Sequence, residues 1–231
     1  MSEIVMSDKY PQFCNEIAKM GHNVIFSDTI KIFHTPEQKH PDMQLLAIRD
    51  NLFMLNECSG LKGKLNSLGK KIICCDKTAE KCYPENILLN CLYLNNTLYG
   101  KINKIDKTVI DYCNKNYIRT VNVNQGYTRC STLVINQKAV ITADKSIEKA
   151  LKKDGVEVLL VFPGNIVLDG FDYGFIGGAG AQIDNTTIFF GNIEKHPEYH
   201  RIKKFCLKNN SDIKILCPNM PLTDIGGIVR I

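Results

Sequence analysis

Four segments of this chain share one order of parts: an apolar strand, a tight polar turn, a returning strand, a helix and a third strand. Their first turn residues, Asp50, Asn95, Asn136 and Asp184, recur at intervals of roughly 40–50 residues, the spacing of an array of supersecondary units. One further step from Asp184 reaches the C-terminal Ile231, and the N-terminus carries what a fifth unit would lack. Residues 228–231 read as its first strand, 4–6 as its second, 11–20 as its helix and 24–26 as its third. A chain that divides its last repeat between its two ends closes a ring. The expected fold is α/β: a five-bladed propeller of ββαβ units with pseudo-fivefold symmetry, the fifth blade built from both termini and residues 1–231 forming a single domain.

The third unit carries the clearest local signals. Thr132, Leu133, Val134 and Ile135 form a β-prone run, Asn136 and Gln137 turn it, and residues 139–142 return. Asp144 or Ser146 can cap the next helix, because a short side-chain oxygen satisfies amides that the first turn leaves free. Ile147, Ala150 and Leu151 give that helix one apolar face, and 158–162 is a continuous apolar run of the kind a buried strand carries. Hairpins are expected likewise at 45–55, 88–100 and 181–191. Helices are expected around Leu61, Leu65 and Leu68, after the capping Asp106, and from Pro197, which suits a first helical turn.

Each third strand leads through a polar, Gly- or Pro-bearing connection into the next hairpin. These connections, 29–42, 76–86, 124–131, 163–180 and 219–227, would all lie at one end of the ring axis, and loops held on a rigid scaffold carry function. Cys130 is singled out among ten cysteines because it falls in such a connection, whereas most others occupy apolar positions of the repeat. No Cys-x-x-Cys and no paired Cys/His spacing marks a zinc site. The net charge of +5, from 29 basic and 24 acidic residues, is interspersed and not clustered with aromatics, so no nucleic-acid partner is expected. No apolar run approaches the roughly 18 residues of a membrane span, and no basic segment precedes a long apolar one at the N-terminus. The expectation is a cytoplasmic protein without a membrane partner.

Five ββαβ units about a pseudo-fivefold axis resemble the pentein, or guanidine-modifying-enzyme, superfamily over nearly the whole chain. The wording Gln125-Gly126-Tyr127-Thr128-Arg129-Cys130-Ser131-Thr132, with Gly170-Phe171-Asp172-Tyr173-Gly174-Phe175-Ile176-Gly177-Gly178-Ala179, resembles an uncharacterised bacterial branch of it. The resemblance implies a thiol-dependent hydrolase or transferase acting on a guanidino or amidino small molecule at the axis, without metal or organic cofactor. The superfamily also includes translation initiation factor 6, which binds ribosomes without catalysis, so a ligand- or macromolecule-binding role is the alternative. Its enzymes carry a nucleophilic Cys in the last repeat after a Gly-rich turn, often preceded by His. Here residues 224–231 keep Gly226 and Gly227 but have neither Cys nor His. Where those enzymes place a catalytic His, at the start of the third repeat's first strand, this chain has Cys130. Their guanidinium-binding carboxylate of the first repeat is matched by Asp42, and at the second repeat Asn90 or Glu85 is nearest.

Residue chemistry fills in the rest. In a pseudosymmetric ring a nucleophile moved to another repeat still addresses the same central point, so Cys130 is the candidate nucleophile. His40 is the candidate acid/base, with Asp42 or Asp224 orienting it. The bland reading makes Cys130 a small buried side chain capping a strand and His40-Pro41-Asp42 ordinary turn chemistry. Asp169, Asp172 and Tyr173 lie in the longest connection beside Gly170, Gly174, Gly177, Gly178 and Gly180, and a carboxylate there would match a planar guanidinium pairwise. One of these aspartates is expected to face the cavity. Asn90, Arg129 and Asp224 complete the expected substrate-binding set. A nucleotide loop at Gly177-Gly178-Ala179-Gly180 is set aside, since a hairpin follows it where phosphate binding needs a helix.

Overall fold

The apolar runs pair in the order that the repeat pattern predicts, giving five three-stranded sheets in the computed structural model, which describes residues 2–231. In each sheet the middle strand pairs antiparallel with the first and parallel with the third. The first four sheets are Leu45–Ile48, Asn51–Met54 and Ile72–Cys74; Leu92–Leu94, Thr97–Gly100 and Arg119–Asn122; Thr132–Asn136, Ala139–Thr142 and Glu157–Leu160; and Gly180–Ile183, Thr186–Asn192 and Asp212–Pro221. In the fifth, Glu3–Met6 pairs parallel with Asn23–Phe26 and antiparallel with Val229–Arg230, through Ile4 opposite Arg230 and Val5 opposite Val229. The ring is closed by head and tail together.

Local chemistry explains the elements. The second hairpin turns on Asn95 and Asn96, both left-handed at φ 49° and 56°, a conformation Asn tolerates better than most residues. Parallel pairing of middle and third strands needs a crossover, and a helix supplies it in each blade. These helices are Pro11–Lys19, Ser59–Ser67, Lys107–Lys115, Lys145–Lys153 and Tyr199–Lys208. Asp144, not Ser146, caps the fourth: its Oδ1 accepts the amides of Ser146 and Ile147 at 2.8 and 2.9 Å. Asp106 caps the third through the Thr108 amide and also accepts the amides of Asp76 and Lys77, tying two blades together. Among the described residues no helix is long and apolar enough to cross a membrane.

Several local expectations need correction. The last helix begins at Tyr199, because a 3-10 turn at Ile193–Lys195 and the Glu198 amide bonded to His196 Nδ1 hold Pro197 in a separate turn. The second hairpin begins at Leu92 and not at Leu88, since Asn90 leaves the sheet for the axis. Phe162 lies beyond the strand that ends at Leu160 and is 73% exposed. Leu68 lies past the end of its helix and is also exposed. A short helix, Pro41–Gln44, interrupts the first connection, with Pro at its first turn. Cys82 also lies in a connection, but at the surface, whereas Cys130 is buried.

Ile4, Val5 and Met6 are wholly buried between the fifth blade and its neighbours. Ile4→Ala is expected to lower unfolding free energy by about 2–5 kcal/mol. Leu207→Ala, at a side chain 52% exposed, should change it by about 0.5 kcal/mol or less. Urea titrations followed by circular dichroism measure both.

Candidate active site

The connections do converge at one end of the ring. The His34 ring, from the first, meets Phe171 of the fourth at 6.1 Å between centroids. Tyr127 of the third stacks on Tyr83 of the second at 5.6 Å and meets Phe175 of the fourth at 5.9 Å. Gly226, in the fifth and left-handed at φ 76°, packs so closely on His40 that a Cβ would stand 2.5 Å from the His40 Cβ. A Cβ on Gly178 would overlap Asp224 Oδ1. Both glycines are required by close approach.

Within this convergence the Cys130 thiol donates to Asp42 Oδ2 at 2.8 Å, and Asn90 Nδ2 donates to the Cys130 sulfur at 3.0 Å. Asn90 is oriented by its other end: Oδ1 accepts the amides of Arg129 and Cys130 at 2.9 and 3.2 Å, which turns its NH2 toward sulfur. Asp224 accepts the Phe175 amide on Oδ2 at 2.8 Å and the Gly226 amide on Oδ1 at 2.9 Å. Its Oδ1 also lies 3.9 Å from His40 Nδ1, beyond direct hydrogen-bond reach. Cys130, His40, Asp42, Asn90 and Asp224 come from different places in the chain, and none is more than 4% exposed. Glu37, 5% exposed, joins them. One oxygen of Asp42 and one of Glu37 are buried without a hydrogen-bond partner.

Burial governs the charge state of the group. It pushes Asp42 up to about 7, helped by the neighbouring Asp224 and opposed by the Cys130 hydrogen bond. It likewise raises Glu37 to about 7, with Asp224 adding to the effect. The Cys130 thiol is pushed well above its ordinary range by burial and then by Asp42 and Asp224, and burial lowers His40. Each group resists carrying charge while the others surround it. A cavity of about 130 Å³ lies beside the cluster, walled by Ser131, Gly174, Phe175 and His196, with Phe162 and Tyr173 at its exposed rim. Ser131 Oγ and His196 Nε2 are buried there without partners.

Of the residues anticipated from sequence, the fold brings Cys130, His40, Asp42, Asn90 and Asp224 together. Arg129 departs from expectation: its guanidinium bonds to the carbonyls of Thr132 and Ile228 at 3.1 and 3.4 Å, clasping the third blade to the fifth. Asp169 and Asp172 do not face the axis either. The turn at left-handed Gly170 leaves them exposed around an outer depression with Asn192 and Lys195, and Asp169 pairs with Lys9 at 3.1 Å. Tyr173 reaches only the cavity rim. Glu37, Tyr127, Ser131 and His196 were not anticipated. Glu37 sits in the sequence Glu37-Gln38-Lys39, which reads as solvated surface, and only its place in the first connection pointed inward.

No curated protein matches the chain in sequence. A family model described as "Family of unknown function (DUF6873)" matches residues 4–229. The chain belongs to that family. Its fold is that of the penteins, as three solved structures make plain. A dimethylarginine dimethylaminohydrolase from Pseudomonas aeruginosa, complexed with citrulline, is similar at 10% identity and a TM-score of 0.61, covering 100% of this chain and 99% of that one. The N-terminal domain of a cyanobacterial arginine dihydrolase, bound to product, is similar at 12% identity and 0.62, covering 99% and 97%. An amidinotransferase of the saxitoxin pathway from Microseira wollei is similar at 10% identity and 0.61, covering 94% and 88%.

Glu37 gives a signed pH dependence. Its folded value is raised, so the stability it contributes is full below the ordinary carboxylate range and is lost as pH rises to about 7. Glu37→Gln is therefore expected to stabilise the fold by about 1–3 kcal/mol at pH 8 and hardly at pH 4. Denaturant melts at the two pH values check this, and a gain independent of pH would contradict it. Gly178→Ala should destabilise at both, by about 1–3 kcal/mol, through its clash with Asp224.

Proposed function

We propose that this protein is a thiol-dependent hydrolase or amidinotransferase that takes a guanidino or amidino small molecule at the ring axis. One observation carries the reading: a cysteine thiol, an imidazole and three carboxyl groups meet in a buried cluster that contains two carboxyl oxygens without partners. A guanidinium offers a planar fork of donors to such oxygens. Its charge would also offset the acids that keep the thiol protonated, so the substrate would help to activate its own nucleophile. Similar folds support this class of ligand, among them an agmatine deiminase from C. jejuni with substrate bound and the hydrolase complexed with citrulline.

The chemistry balances with the residues at hand. Asp42 Oδ2 takes the thiol proton as Cys130 sulfur attacks the amidino carbon and the C=N pair moves to nitrogen. The proton passes by way of His40 to the leaving amine as its C–N bond breaks, leaving an amidino group on sulfur. Water, or an acceptor amine in a transferase, attacks that carbon. The C–S bond then breaks and the proton of the attacking group returns to the thiol. Asn90 steadies the thiolate through its N–H. Asp42, Glu37 and Asp224 anchor the cation. Each member of the cluster is 5% exposed or less, so substrate reaches it only when the surrounding connections part.

The alternative is a pentein that binds without catalysis, favoured by the thiol, which burial holds protonated, and by residues 224–231, which lack Cys and His. A pair of alkylating agents separates the two. A haloacetamidine, positively charged, should label Cys130 about tenfold or more faster than the neutral haloacetamide, while exposed Cys82 reacts with both alike. Peptide mass mapping reads the sites. Equal rates at Cys130, or no labelling there, would favour the binding role.

A further inference from the structure

The atoms that meet at the axis are also a set of metal ligands. One imidazole nitrogen of His40, one carboxylate oxygen of Asp42 and the sulfur of Cys130 all lie within 4.8 Å of one another, and all three residues are buried. We infer that these three side chains bind a divalent cation of the zinc class. This inference rests on the cluster's geometry and not on the guanidino chemistry.

Three features argue for it beyond proximity. Asp42 is 1% exposed, yet its Oδ1 has no hydrogen-bond partner, a costly state for a buried carboxyl oxygen unless a cation or donor meets it. The surroundings then resemble the outer layer of a metal centre. Asp224, fixed by the amides of Phe175 and Gly226, stands 3.9 Å from His40 Nδ1, where a small closure gives the carboxylate–histidine arrangement that orients a ligating ring. Asn90 Nδ2 already donates to the Cys130 sulfur, a bond that supports a ligating thiolate. Charge balance is the third feature. The cation would be held by one thiolate, one carboxylate and a neutral imidazole, a set of two negative charges against two positive. Binding displaces the thiol proton to solvent, together with any proton on Asp42, and leaves the cation with its three ligands free of net charge.

Thiolate with imidazole selects zinc over magnesium or calcium, which prefer oxygen alone. Three protein ligands leave a fourth position for water or another small ligand. No local motif announces this ligand set, because Cys130 lies some ninety residues from His40 and Asp42, far outside any short ligand spacing.

Cobalt(II) is the probe, because its thiolate complexes absorb by charge transfer in the near ultraviolet. Chelator-washed protein titrated with Co²⁺, and followed until the absorbance is constant, should develop that band and lose it when Zn²⁺ is added. Cys130→Ser should abolish it, and Cys82→Ser, at an exposed thiol, should leave it intact. His40→Gln and Asp42→Asn should each weaken Co²⁺ binding by about tenfold or more. Should Cys130→Ser fold poorly, Zn²⁺ raising the Tm of wild type but not of Asp42→Asn supports the site equally. A wild type without the band, a band that survives Cys130→Ser, or affinity unchanged in both His40→Gln and Asp42→Asn overturns the inference. Haloacetamidine labelling is read on metal-free protein, so the enzymatic reading and the metal site stand or fall separately.

Discussion

Two residue pairs, Ile4 with Arg230 and Val5 with Val229, hold the ring shut, and the axial cluster depends on them. The connection carrying His40 leaves the third strand of the fifth blade, and the one carrying Asp224 leads into its first. His40 and Asp224 therefore flank the one blade made from two pieces of chain, and their 3.9 Å approach exists only while those pieces are paired. The join is reinforced outside the sheet. The Ile231 amide donates to the Glu3 carbonyl at 3.1 Å, and Arg230 reaches both Ser2 Oγ and the turn of the fourth blade at Asp184. Antiparallel pairing of two residues is weak alone. Here the apolar faces of Ile4 and Met6, packed with Ile225 and Ile228, supply the burial that short strands cannot provide by hydrogen bonds.

The same convergence imposes a thermodynamic penalty at the axis. Buried carboxyl groups, an imidazole and a thiol share a space nearly closed to water, and Glu37, Asp42, His40 and Cys130 are each held away from their charged forms. A core built only for stability would fill that space with aliphatic side chains, as the sheets around it do. A cation bound there would release the penalty and so link binding to folding through the same groups. The surrounding blades carry the cost with large buried side chains such as Phe53, Phe189 and Phe190, and with Asp106, which bonds three amides at once.

Repeat and closure were readable in the sequence because both rest on short-range signals: turn residues at regular intervals, alternating apolar runs, and capping acids at Asp106 and Asp144. The meeting of Cys130 with His40, Asp42 and Asp224 followed from symmetry, since equivalent connections of a ring must converge, whereas Asn90, outside those connections, was reached through the family resemblance. What symmetry could not provide was side-chain direction. Arg129 adjoins Cys130 in sequence yet turns to the carbonyls of Thr132 and Ile228, because both sit in the turn ahead of the strand Thr132–Asn136, closed by the Ser131 amide on the Tyr127 carbonyl, where successive side chains fan apart. Asp169 and Asp172 share a connection with Gly174 and Gly178, but only the glycines reach the axis, because close packing against Asp224 leaves no room for a side chain. Glu37 shows the converse. A charged residue among charged residues carried no sign of burial, and its segment is folded by its own turns, the Glu37 amide on the His34 carbonyl and the His40 amide on the Glu37 carbonyl.

The clasp made by Arg129 also gives the axis a polarity. Its guanidinium sits among the first strands, where it borders a depression with Leu46, Leu92 and Ile228, while the carboxyl groups occupy the connections. Its positive charge is felt at Asp42. An arginine fixed on that side of the axis would oppose a positive ligand, and the carboxyl groups on the other side would attract one, so the two ends of the axis differ in the sign of charge they favour.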